Sequence, residues 1–288
     1  MFYIDSSLII VYMPVQSSHP FFKYLTLALV IVIACTLSAG CTSVSSTDSD
    51  ICIGIVGAMG DETNDLIAHL QDVTKEETTA GTFCSGTYNG VTYVVGTSNM
   101  GKVYATMTTQ WMIACYHPDC IINIGVGGAV SEILQVGDVV VASSAFQHDY
   151  DVSPLGRDTC YLYERNMMYI PADTSLNAVL KTCGEKLNMR TVEGICATGD
   201  QFVEDLDVKN RLNNDYDAIV CDMEGAAILL VCYENGVPGA ECRIISDTLY
   251  GNHEEYDENL TVQGGELARL MLQLSDEKDA LRAALNLV

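Results

Sequence analysis

The chain has 288 residues, 49% apolar and 18% charged, with 38 acidic side chains against 14 basic ones and a formal net charge of −24. That apolar fraction excludes a disordered acidic tail and fits a well-cored globular protein. Only Lys23, Lys75 and Lys102 precede the first arginine, Arg157, which argues against nucleic acid or another polyanion as the main partner.

The N-terminal 50 residues differ from the rest. After Lys23, residues 25–37 (LTLALVIVIACTL) form a short apolar run, followed by Ser38, Ala39, Gly40 and Cys41 and a polar stretch over 42–50. A basic residue, an apolar core and small residues before a cleavage point make an export signal. The run from Leu37 to Cys41 resembles a bacterial lipobox, which makes Cys41 the expected lipidation site and 42–50 a flexible tether. An uncleaved anchor is the alternative, although the apolar run falls short of the roughly 20 residues that span a bilayer. A start at Met13 is another, and a mis-called start leaves the protein cytoplasmic. The expected division is a signal over 1–41, a tether over 42–50 and one domain over 51–288, with the mature protein exported and membrane-anchored only through its N-terminus.

From residue 51 onward, short β-rich runs alternate with helical patterns. The spacing predicts a strand over 52–56, a helix over 61–70, a strand over 91–96, a helix over 102–115, and strands over 120–124 and 138–142. A helix follows over 175–187, then a strand over 191–197, a helix over 205–213, a strand over 218–221, a helix over 224–234 and a strand over 241–245. A last helix over 260–284 places Leu267, Leu270, Met271 and Leu274 on one face. This order predicts a single-domain α/β fold, a three-layer α/β/α arrangement around a mixed, mostly parallel sheet.

Glycines cluster after two strands, as Gly54, Gly57 and Gly60 and as Gly125, Gly127 and Gly128. Neither cluster fits a dinucleotide fingerprint or a P-loop, so no nucleotide cofactor is expected. The more modest reading is close backbone approach to a small ligand at strand ends. Ten cysteines follow Cys41, none spaced as Cys-x-x-Cys, so no metal site is expected and most read as small core hydrophobes. So many unpaired thiols fit poorly with an oxidising exterior, which leaves either some pairing or reducing surroundings.

Three acids stand directly after apolar strands: Glu62, Glu224 and Asp247. Any one of them taken alone reads as a helix cap. Together, at the ends of parallel strands, they can converge on one pocket, and crowded carboxylates have their pKa values pushed apart into an acid and a base.

Seven segments carry a resemblance: IGIVGAMGDE (53–62), SNMGKVYA (98–105), PDCIINIGVGGAVSEILQVGDVVVA (118–142), HDYDVS (148–153), ATGDQFV (197–203), DMEGAAI (222–228) and RIISD (243–247). In order and spacing they resemble the nucleoside phosphorylase superfamily, and within it the 5′-methylthioadenosine/S-adenosylhomocysteine nucleosidases. The resemblance implies that Asp247, beside Ser246, protonates N7 of an adenine. It implies that Glu62 activates water and that Glu224, after Met223, binds the ribose hydroxyls. It places Phe202 and Val203 on the base, Met59 and Met223 on the sugar and thioether, Ser98 and Arg243 near the nucleophile, and Tyr256 over the 5′ group. Val152 and Leu155 would reach into a neighbouring subunit, which implies a homodimer.

The resemblance also bears on the nucleophile. Phosphorylases of this fold carry arginines at the places held here by Asn123 and Glu62, and Lys102 and Arg243 are the cations left near the motifs. A carboxylate repels a phosphate dianion but can deprotonate water, so hydrolysis is expected over phosphorolysis. A purine nucleoside phosphorylase, another nucleosidase of the superfamily and a non-catalytic nucleoside-binding lipoprotein stand as alternatives.

Overall fold

The computed structural model describes residues 51–287, so the expected signal, Cys41 and the tether lie outside the described residues. The central strand β1 (Cys52–Gly57) lies between β4 (Val91–Thr97) and β5 (Cys120–Ala129), parallel to both. On one side the sheet continues from β4 through β3 (Gly81–Tyr88) to β2 (Gln71–Thr78) as an antiparallel meander. On the other side it closes on itself. Strand β5 pairs with β10 (Gly239–Asp247), β10 with β6 (Val139–Gln147), β6 with β8 (Thr191–Thr198), β8 with β9 (Ala218–Asp222), and β9 returns to β5. The two-residue β7 (Ile170–Pro171) lies on β6.

Helices cover both faces, giving the three layers that the alternating pattern predicts. Ile53 and Ile55 of β1 and Ile122 and Ile124 of β5 pack against α1 (Gly60–His69), α3 (Thr174–Lys186), α6 (His253–Gln273) and α7 (Lys278–Ala284). The intervening Val56 and Ile121 face the opposite way, toward α2 (Lys102–Tyr116) and α5 (Gly225–Asn235). That alternation is the two-residue side-chain period of a strand buried on both faces. The remaining helix, α4 (Leu206–Tyr216), joins β8 to β9.

The fold departs from the sequence expectations in three places. Strands β2, β3 and the two-residue β7 carry no predicted element. Strand β2 is a polar edge strand, exposed along nearly its whole length, and shows no apolar alternation. The last helix begins at His253 rather than 260, because the Asn252 side chain accepts hydrogen bonds from the backbone N–H groups of Glu254 and Glu255. It also breaks at a 3₁₀ turn, Leu274–Glu277, before α7. Among the described residues, nine of the ten cysteines are buried, all but Cys52, which matches the reading of core hydrophobes. Among the described residues no helix is long and apolar enough to cross a membrane.

Helix α6 touches α1 where Gly264 faces the chain at Asp61, and a Cβ there would lie 1.9 Å from the Asp61 carbonyl oxygen. The expected outcome for Gly264→Ala is a loss of about 1–3 kcal/mol on denaturant unfolding, because the two helices must part. Full parental stability would contradict this packing.

Candidate active site

Strand ends meet where the sheet closes, and a cavity of about 550 Å³ opens there, lined by Glu62, Asp222, Glu224 and Asp247 among apolar side chains. Met59, Met100, Phe202, Val203, Met223 and Tyr256 supply most of the apolar wall. Strand β10 bulges at Ser246, so that Asp247 comes opposite Gly128 instead of continuing the register past Ile245 and Gly127.

Glu62 sits in the first turn of α1, and both of its oxygens are engaged. One accepts from the N–H groups of Ala58 (2.8 Å) and Met59 (3.0 Å), the other from Val126 (3.1 Å). The acid therefore closes the helix N-terminus, as an ordinary first-turn residue does, while also lining the cavity. Burial pushes its pKa above the usual carboxylate range, against the opposing pull of Arg243 and the three N–H donors.

Glu224 is relieved of capping duty. Asp222 caps α5 instead, accepting from the N–H groups of Glu224 (3.2 Å) and Gly225 (2.7 Å). That leaves the Glu224 carboxylate with the Gly101 N–H at 2.8 Å and the Arg243 guanidinium at 3.8 Å. Burial raises its pKa to about 8.

Asp247 accepts from Ser246 Oγ at 2.8 Å and from Lys209 Nζ at 3.1 Å. Burial raises its pKa, while the Lys209 charge pulls the other way. Lys209 corrects the expectation that Lys102 and Arg243 are the only cations near the motifs. It is a charged residue on a helix that the apolar periodicity does not single out, and only the return of α4 beside the loop after β10 brings it to the acid. Lys102 itself is spent on Gln147 (3.1 Å) and Asp149 (2.5 Å).

Arg243 and Ser98 do not line the cavity. Arg243 lies behind it at 1% exposure, donating to Asp222 and Asn123 and, through Nε at 3.2 Å, to Glu241. The Ser98 hydroxyl is turned onto the backbone, donating to the Asn99 carbonyl at 2.7 Å. Among the described residues, Cys196, Asp222 and Glu241 place donor atoms within 4.8 Å of one another, but the Arg243 guanidinium already occupies both carboxylates. The glycine cluster also takes on a second meaning. A Cβ on Gly125 would meet Arg243 Nη1 at 2.1 Å and Glu62 Oε1 at 2.6 Å, so this glycine makes room for the site's own side chains.

Phe202, on the loop after β8, is 49% exposed and meets Tyr256 edge-on, with ring centroids 5.3 Å apart. The Tyr256 hydroxyl reaches Met59 Sδ at 3.7 Å, and burial lifts its pKa to about 12. Val152 and Leu155 stand apart from the cavity lining, around the 3₁₀ turn Ser153–Leu155, with Leu155 73% exposed.

The buried acids set a pH dependence of stability. Glu224, raised to about 8, and Glu241, raised to about 7 mainly by burial and by Asp222, bind their protons more tightly in the folded chain than in the unfolded one. Their contribution is complete below about pH 4.5 and is lost as pH rises through those values. Replacing Glu241 by Gln removes one of these losses. The melting temperature of Glu241→Gln relative to the parent is expected to rise between about pH 5 and 8, and a constant difference would contradict this.

The family model described as "Phosphorylase superfamily" matches residues 52–275. A 5′-methylthioadenosine/S-adenosylhomocysteine nucleosidase of Shewanella sp. (strain W3-18-1) is 34% identical over 223 residues, 77% of this chain and 96% of that protein. The Helicobacter pylori nucleosidase of the same name, complexed with a pyrrolidine ligand, superposes with a TM-score of 0.76 at 30% identity, covering 80% of this chain and all of that one. Futalosine hydrolase of H. pylori superposes with a TM-score of 0.75 at 30% identity, over 79% and 98%. With its strand ends, its three acids and these relatives in agreement, the chain belongs to the phosphorylase superfamily.

Proposed function

We propose that the protein hydrolyses the N-glycosidic bond of 5′-methylthioadenosine and S-adenosylhomocysteine, releasing adenine and the free sugar. The observation that carries this reading is the convergence of Glu62, Glu224 and Asp247 on one largely apolar cavity. Asp247 donates a proton to N7, which makes the purine a neutral leaving group. Glu224 accepts hydrogen bonds from the ribose hydroxyls and steadies the positive charge that develops on the sugar. Glu62 takes the proton of the attacking water; its raised pKa keeps it a competent base, and the three N–H donors hold its oxygens in place. Phe202 and Val203 flank the base, Met59, Met100 and Met223 offer polarisable contacts to the sugar and thioether, and Tyr256 covers the 5′ end.

Water is favoured over phosphate because the cations nearest the cavity, Arg243 and Lys209, are already held by Asp222, Glu241 and Asp247, so neither is free to clamp a dianion.

The Met100, Val103, Tyr104 and Met107 side chains are between 41% and 67% exposed at helical spacing on and before α2, beside a groove shared with Leu230 and Val231 of α5. We propose that this face joins two copies, with Val152 and Leu155 extending the contact. Residues 1–41 are proposed to direct export, with Cys41 lipidated, and the mass of the mature N-terminus checks this.

Purified protein is expected to release adenine from 5′-methylthioadenosine in phosphate-free buffer. Asp247→Asn and Glu62→Gln should each lower kcat by about 10²–10⁴-fold. Strict dependence on added phosphate would favour a phosphorylase, and nucleoside binding without turnover would favour a binding protein. By sedimentation the parent is expected to be a dimer and Val103→Glu/Met107→Glu a monomer; a monomeric parent would contradict the proposed face.

A further inference from the structure

We propose that Lys209 is a positioning residue for Asp247, fixing both the acid and the loop behind it in the geometry that delivers a proton to the purine. The inference rests on the role given to Asp247 above. Lys209 is fully buried, and its ammonium group donates to Asp247 Oδ2 (3.1 Å), the Thr248 carbonyl (3.1 Å) and the Gly251 carbonyl (3.3 Å). Three acceptors match the three hydrogens of an ammonium, so nothing on the group is left unpaired.

The position is poor for the helix that carries it. Asp205 caps α4 by accepting from the N–H groups of Asp207 and Val208, which puts Lys209 in the first turn, where the helix dipole favours anions. Burying an ammonium adds a desolvation cost that only charged or polar partners can offset. Helix stability therefore does not explain this lysine, whereas its partners do.

Those partners form a clamp on the loop of residues 248–251. Lys209 grips two of its carbonyls from one side. From the other, Glu255 of α6 accepts from the Thr248 N–H (2.8 Å) and the Thr248 hydroxyl (3.0 Å). A Cβ on Gly251 would lie 1.7 Å from Glu255 Oε2 and 2.9 Å from the Thr248 nitrogen, so a side chain there would push the carboxylate away from Thr248. The same α4 begins just after Phe202 and Val203, so one helix ties the wall against the base to the acid that protonates it.

The electrostatic role follows from the groups that face Asp247: Lys209 from α4, Glu255 from α6, Cys221 from β9 and Ser246 from its own strand. Burial and Glu255 raise the pKa of Asp247, while Lys209 and Ser246 lower it. When the proton passes to N7, Asp247 becomes a carboxylate in a buried site, and Lys209 is the counter-charge already in place. Without it the acid would hold its proton too tightly.

The test compares pH–rate profiles of the parent, Lys209→Met, Lys209→Gln and Lys209→Arg on 5′-methylthioadenosine, with folding checked by circular dichroism and by adenine binding. The neutral variants are expected to lose about tenfold in kcat, with little change in KM. The alkaline limb of kcat/KM should move upward by about one pH unit, because the acid loses its cation. Lys209→Arg should restore both the rate and the limb. A folded neutral variant with an unmoved limb would overturn the proposal, as would an equal loss in Lys209→Arg. If neither neutral variant folds, the side-chain ammonium NMR signal of isotope-labelled lysine in the parent decides. It should shift in Asp247→Asn, and an unmoved signal would overturn the proposal. A parent that releases no adenine overturns the nucleosidase reading instead, and the ammonium signal still reports on Lys209.

Discussion

The guanidinium of Arg243 is buried at 1% exposure among Asp222, Glu241, Asn123 and, at 3.8 Å, Glu224. Most of the site depends on this ion. Its charge draws the pKa values of Glu62, Glu224 and Glu241 downward while burial drives them up. Removing one partner from a buried ion cluster typically costs about 3–5 kcal/mol, since the remaining charges lose their compensation. The surrounding backbone accommodates it: Gly125 has no side chain because the guanidinium and Glu62 fill that space.

Around this centre the acids receive separate tasks from separate surroundings. Glu62 is fixed by three backbone N–H groups at the start of α1. Asp247 is fixed by side chains, the Ser246 hydroxyl and the Lys209 ammonium. Asp222 takes over the capping of α5, which leaves Glu224 directed at the cavity. A base held by backbone dipoles and an acid held by a mobile-proton donor and a cation are different chemical environments built from the same functional group.

The part of this visible in the sequence is the part written in local pattern. Apolar runs such as 120–124 locate the central strands, and acids directly after such runs locate Glu62, Glu224 and Asp247. Strand β2 escapes because an exposed edge strand needs no apolar alternation. The closure of the sheet escapes as well, since the antiparallel pairing of β9 with β5 joins residues far apart in the chain. Lys209 and Asp222 belong to the same class: charged residues whose significance lies in partners tens of residues away, Asp247 and Arg243. Ser98 shows the converse, a motif residue whose hydroxyl the fold turns onto the backbone.

The central claim is that the carboxylate-lined cavity selects water as the nucleophile. Turnover of 5′-methylthioadenosine in water carrying heavy oxygen, with phosphate also present in excess, tests it directly by mass spectrometry of the sugar product. The account predicts a free sugar with one heavy oxygen at the anomeric carbon. A sugar 1-phosphate as the main product would contradict it.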